Sequence, residues 1–173
     1  VLLGCGLGTA KGTANMVLNI ISRSIVPMVI DADGINIVAE NIDVLKSAQA
    51  PVILTPHPGE MARLMHTTVE DVQQHRLQYA SSFAQEHRVI VVLKGAGTMI
   101  AGPSGRLYLN ITGNAGMARG GSGDVLAGMI ASFLAQGNEA FLSAAGSVFF
   151  HGAAGDLCAD RMTQYAMLPT DMI

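Results

Sequence analysis

The sequence has no G-x-x-x-x-G-K-[ST] phosphate loop, no C-x-x-C pair, no excess of positive charge, and no apolar run near the roughly 20 residues that a membrane span requires. Each absence closes a class. A formal net charge of -3 and a sequence pI near 5.9 leave no electrostatic footprint for DNA, RNA or an anionic membrane surface, so neither nucleic acid nor membrane is expected as a partner. Cys5 and Cys158 stand far apart and read as small buried hydrophobes rather than a redox pair or metal ligands. His66, His75, His87 and His151 have no metal-site spacing and read as helix-surface or core residues. No basic-then-apolar leader opens the chain, and a cytoplasmic setting is expected. What remains is 173 residues, 50% hydrophobic and 13% charged, which suits one compact domain that works on small molecules.

The order of elements predicts an α/β domain. "VLLGCGLG" reads as a short buried strand that empties into a glycine turn, and "TANMVLNIISRS" carries apolar residues at helical spacing. "PMVIDADGIN" gives a second strand ending in Asp31 and Asp33, and "PVILTPHPGE" a third ending in a proline-framed turn. From Thr67 a helix is predicted, with Thr67 and Glu70 in capping-box register and Val72, Leu77, Ala80 and Phe83 as its apolar face. "RVIVVLKG" is continuously apolar, as expected of a strand covered on both faces of a parallel sheet. "TMIAGPSGRLYLN" reads as a hairpin, and two helices follow at about 123–136 and 139–161, the second rich in small residues that permit close contact. In such mainly parallel sheets ligands sit at the carboxyl ends of the strands, and the polar residues cluster there.

The stretch "NITGNAGMARGGSGDVLAG" sets a glycine loop directly before an apolar helix. Helix amino-termini leave unpaired N–H groups and partial positive charge, so Gly120, Gly121 and Gly123 can wrap an anion, with the Ser122 hydroxyl added; a tight turn is the plainer alternative. Asp124 at the first turn either stabilises the helix dipole or serves as a base, since a carboxylate beside a phosphate cradle otherwise repels the ligand. In "LTPHPGE", Pro56 and Pro58 fix the backbone around His57, and Glu60 opens a helix. In "LKGAGT", Lys94 pairs with a phosphate or snorkels to solvent, and Thr98 bonds a nucleotide or starts the hairpin.

Four segments, "GCGLG", "TPHPGE", "LKGAGT" and "GNAGMARGGSGDVLAG", resemble in order and spacing the NAD(P)H-hydrate dehydratase family of the ribokinase-like superfamily. "IDADGIN", "HGAAGDL" and "MLPTDMI" extend the resemblance over essentially the whole chain. It implies a three-layer α/β/α fold around a mainly parallel central sheet. It also implies a hydro-lyase that restores NADH or NADPH from the (6S)-hydrated form at the expense of ADP or ATP. By motif, Asp124 is the implied catalytic base, Gly6 and His57 join it at the hydrated dinucleotide, Lys94, Gly95, Ala96, Gly97, Thr98 and Gly123 line the adenine nucleotide, and Asn114 shapes the phosphate site with Gly120, Gly121, Ser122 and Gly123. Mg²⁺ is implied for the phosphoryl transfer, with ligands that the sequence does not identify, and so is a homo-oligomer.

Three departures from the family pattern stand out. Cys5 replaces the usual proline of "GPGLG", and Arg119 stands where a small or hydroxyl residue is expected. Family domains also have a glycine- and alanine-rich segment ahead of "GPGLG", so residues 1–173 are expected to be a domain incomplete at its amino-terminus and trimmed at its carboxyl-terminus. Two other readings stay open: an alcohol kinase of the same superfamily acting on a vitamin precursor, and a nucleotide-binding module without turnover.

Overall fold

The computed structural model describes residues 1–173. Four strands, β1 (Leu2–Leu3), β2 (Met28–Ile30), β3 (Val52–Leu54) and β4 (Ile90–Leu93), pair in parallel in chain order. A hairpin of β5 (Met99–Ala101) and β6 (Leu107–Leu109) extends the sheet antiparallel from β4. Every residue of β2, β3 and β4 is buried, because both faces of the sheet are covered.

Alternation along the strands sorts the core into two layers. Met28, Ile30, Val52, Leu54, Val91 and Leu93 face one way. They pack against α1 (Lys11–Arg23), α2 (Asp33–Glu40), α3 (Pro58–Leu64), α4 (Val69–Gln74) and α5 (Arg76–His87). Val29, Ile53, Ile90, Val92 and Ile100 face the other way, against Leu126, Ala127 and Ile130 of α6 (Ser122–Ala135) and Phe141, Ala144 and Val148 of α7 (Ala140–Met162). The result is the three-layer α/β/α sandwich that the resemblance implied. No helix is long and apolar enough to cross a membrane.

Two local expectations are corrected. The helix expected from Thr67 starts later: Thr68, in extended backbone, accepts the Asp71 N–H at 3.2 Å, while the Thr67 hydroxyl donates to the Asp71 carboxylate at 2.8 Å. The reason lies just upstream, where His66 takes a positive φ of 50° and delays the new helix. That helix also breaks at His75, and the turn between α4 and α5 leaves Leu77 exposed rather than on the apolar face. Between β2 and β3, where no helix was expected, α2 and a 3₁₀ turn at Ile42–Ser47 make the crossover that a parallel pair requires.

Candidate functional site

Asp31 and Lys94 follow β2 and β4 directly; the register that aligns Ile30 with Leu54 and Leu54 with Val91 puts Asp31 level with Val92, two residues short of Lys94, a step that the long lysine side chain spans. Lys94 Nζ donates to Asp31 Oδ1 at 2.7 Å. The Asp31 side chain is 3% exposed and that of Lys94 20%, so this is a buried ion pair rather than a snorkelling lysine. Glu60 Oε2 lies 4.0 Å from the same ammonium and accepts the His57 N–H at 2.8 Å.

His57 is the amino-terminal cap of α3. Its Nδ1 accepts the N–H of Gly59 at 2.9 Å and of Glu60 at 3.3 Å. With Nδ1 acting as acceptor, the ring proton sits on Nε2, 3.4 Å from Glu60 Oε1. Pro58 has no N–H to satisfy, so this helix end is closed by its own residues. The Lys94 N–H donates to Pro56 O at 2.8 Å and joins "TPHPGE" to "LKGAGT".

The other helix end at this edge is different. Gly121 precedes α6 with φ 97°, a left-handed conformation in which a side chain is strained, and no side chain caps the helix. The N–H groups of Gly120, Gly121, Gly123 and Asp124 donate to no protein acceptor. Four amides therefore remain free around the first turn. Gly123 packs against the ion pair, where a Cβ would stand 3.4 Å from Lys94 Nζ and 3.6 Å from Asp31 Oδ2. The Ser122 hydroxyl is buried without a partner.

Asp124, exposed on that turn, meets Cys5 and Asp31, with ligand atoms of all three within 4.8 Å of one another. Burial, followed by hydrogen bonding to Asp124, pushes the Cys5 thiol up to about 11, so it is a thiol near neutral pH and not a thiolate. Gly6 is the next residue of this loop, and the Gly8 N–H is tied to Asp33 Oδ2 at 2.8 Å. Two carboxylates, Asp31 and Glu60, thus flank one ammonium, and Asp124 stands beside Asp31 and Cys5. Asp31 and Asp124 could supply hard oxygens to Mg²⁺, whereas the Cys5 sulfur does not suit that ion.

Asn114 and Arg119 are engaged elsewhere. The Asn114 amide donates to Asp156 Oδ1 at 3.0 Å and its Oδ1 accepts the Gly116 N–H at 3.0 Å; the Gly113 N–H also reaches Asp156, at 2.8 Å. Asn114 therefore braces the turn leading into the glycine loop. Arg119 donates to the Tyr165 carbonyl. On α7, added side chains at Gly152 and Gly155 would overlap Thr112 and Met117, so these small residues seat that incoming turn. His151 is buried on the same helix, where desolvation pushes its pKa down.

Sequence reading passed over Asp31, Glu60, Arg76 and Asp156 as site residues. Asp31 and Glu60 had usable signals, a charge directly after an apolar strand and an acid three residues beyond a proline-framed cap. Arg76 and Asp156 had none, because their partners are distant in sequence.

A three-layer sandwich with a glycine loop and an aspartate opening α6 defines the ribokinase-like class. A ribokinase-like superfamily protein of Enterococcus faecalis superposes with a TM-score of 0.85 at 33% identity, over 99% of this chain and 58% of that one. Within that class, the family model described as NAD(P)H-hydrate dehydratase matches residues 1–173, and the chain belongs to that family. It is similar to the ADP/ATP-dependent NAD(P)H-hydrate dehydratase of Bacillus subtilis co-crystallized with ATP/Mg²⁺, with a TM-score of 0.88 and 32% identity over 99% of this chain and 60% of that one. It is also 45% identical, over 99% of its length, to the bifunctional NAD(P)H-hydrate repair enzyme of Moorella thermoacetica, of which it spans 32%.

Proposed function

We propose that this domain dehydrates (6S)-hydrated NADH or NADPH, driven by phosphoryl transfer from ADP or ATP. The observation that carries the reading is the open turn of α6, which has four free amides and one exposed carboxylate, Asp124. Membership of the family supports it.

In this mechanism Asp124 accepts the proton of the ring hydroxyl as its oxygen forms a bond to the terminal phosphorus and the bond from that phosphorus to the nucleotide's bridging oxygen breaks. The amides of Gly120, Gly121 and Gly123 stabilise the charge on the phosphoryl oxygens without reorganising. The C–O bond to phosphate then breaks as the adjacent ring carbon gives up a proton to water and the ring double bond forms; phosphate leaves far more readily than hydroxide because it is much the weaker base, water having a pKa of about 15.7. Lys94 to Thr98 line the nucleotide, while Gly6 and the exposed face of His57 meet the hydrated dinucleotide. Asp31 and Asp124 would hold Mg²⁺, which would supply charge neutralisation. The donor set fits it: the neighbouring Asp31 and Asp124 carboxylates offer hard oxygens, and their charge would otherwise repel a polyphosphate.

A cytoplasmic homo-oligomer fits a domain that uses nicotinamide and adenine nucleotides and exposes Leu142, Phe150 and Leu157 along α7; sedimentation tests the assembly. The test of function incubates the purified protein with hydrated NADH or NADPH, Mg²⁺ and either ADP or ATP, and follows dihydronicotinamide absorbance. Recovery with one nucleotide names the donor. Nucleotide consumption on a vitamin-precursor alcohol, with no recovery, would move the reading to an alcohol kinase.

A further inference from the structure

Arg76 opens α5, where a cation opposes the helix dipole and the first turn contains no acid. It makes no ion pair with any carboxylate, although it is half-buried and desolvation pushes its pKa down. Its guanidinium instead donates to Leu93 O at 3.1 Å, Lys94 O at 3.4 Å and Gly97 O at 3.4 Å, with Gln73 Oε1 at 3.1 Å as its side-chain partner. These carbonyls belong to the last residue of β4 and to both limbs of the loop that follows it. The fork also fills the space beside Gly95, where a Cβ would stand 3.0 Å from Nη1.

This clasp sorts the loop's polar groups. Carbonyls from the entering and leaving limbs turn inward onto Arg76, whereas the N–H groups of Gly95, Ala96 and Gly97 donate to no protein acceptor. A loop left to itself would present carbonyl lone pairs and amides alike, and the former repel an anion. We infer that Arg76 is a positioning residue for the nucleotide, fixing the 94–98 loop so that its amides face the phosphates of the phosphoryl donor. The inference rests on the nucleotide reading given above. A guanidinium spreads its donors over two terminal nitrogens in a rigid plane and so spans carbonyls set apart, whereas the three donors of an ammonium radiate from one atom.

The test compares Arg76→Ala and Arg76→Lys with the unsubstituted protein by steady-state kinetics and by ¹⁵N relaxation at Gly95 and Gly97. Both variants are expected to raise the KM for the adenine nucleotide about tenfold or more, while kcat and the KM for hydrated dinucleotide stay within about twofold. Order parameters at the two glycines should fall from about 0.85 to below about 0.6. Unchanged rigidity in both variants overturns the inference, as does full rescue by lysine, which would make charge alone sufficient. A parallel loss of kcat and of both affinities would reduce Arg76 to a structural residue and overturn it as well. If the loop loosens in both variants but the unsubstituted protein binds no adenine nucleotide, the nucleotide reading fails while Arg76 stands as the organiser of the loop.

Discussion

Two helices begin at the same edge of the sheet, and their amino-termini are finished in opposite ways. At α3 the His57 ring accepts two amides, Glu60 returns a carboxylate to the His57 N–H, and Pro58 has nothing to satisfy. At α6 no side chain caps the helix, and the amides of Gly123, Asp124 and the preceding glycines stay free. Both ends carry the same partial charge and the same orphan donors. The closed end holds a side chain in place, and the open end leaves its donors without a protein acceptor. Asp31 and Lys94 stand between them and touch both.

The comparison is tested most severely at the open end. Asp124→Asn should reduce turnover by about 10²- to 10⁴-fold, the range for loss of a general base, while adenine nucleotide still binds, because the amides and the Asp31 carboxylate remain. Isothermal titration beside the absorbance assay separates the two effects; retained turnover would return Asp124 to a dipole-stabilising role. Lys94→Ala acts on the boundary. It strands the Asp31 and Glu60 carboxylates in a buried site, and a loss of about 3–5 kcal/mol in denaturant unfolding is expected. A loss below about 1 kcal/mol would mean that water reaches the pair.

At the closed end, His57→Ala should cost about 1 kcal/mol through the lost cap. His57→Asn should restore that stability, since asparagine caps well, but not the affinity for hydrated dinucleotide. Recovery of both would leave the imidazole with capping alone. The mildest test is remote: Glu139, which caps α7 through the Phe141 and Leu142 amides, should cost about 0.5–2 kcal/mol as Glu139→Ala with turnover unchanged. Burial pushes the Glu139 carboxyl up, but those amides and Arg106 outweigh it and hold it below its ordinary value. Its contribution is therefore present above the unfolded-state value of about 4.5 and lost as pH falls through the lower folded value. Acid unfolding profiles of the parent and of Glu139→Ala should converge in that range.

Much of this was legible in the residues. Continuous apolarity at 90–93 marked a strand buried on both faces, and the glycines before Asp124 marked a loop feeding directly into a helix, because both signals are local. The Thr67 cap and the apolar role of Leu77 were misread, since a positive φ at His66 and a break at His75 are set by how α3 and α4 pack rather than by spacing. The helix between Ile30 and Val52 has only eight residues, too few for periodicity to declare itself. The pairings of Lys94 with Asp31, Asn114 with Asp156 and Arg76 with the 94–98 loop join residues 17 to 63 positions apart, and only the assembled sheet brings them together.

Because Asp124 and the free amides lie on one turn of chain at the start of α6, the separation between that carboxylate and whatever the amides bind is set by a single turn of backbone. Breathing of the sheet or slippage of the outer helices carries both as one piece. The chemical step should then tolerate loosening elsewhere, and damage to the core should reduce how many molecules work while leaving the pace of each working one nearly intact.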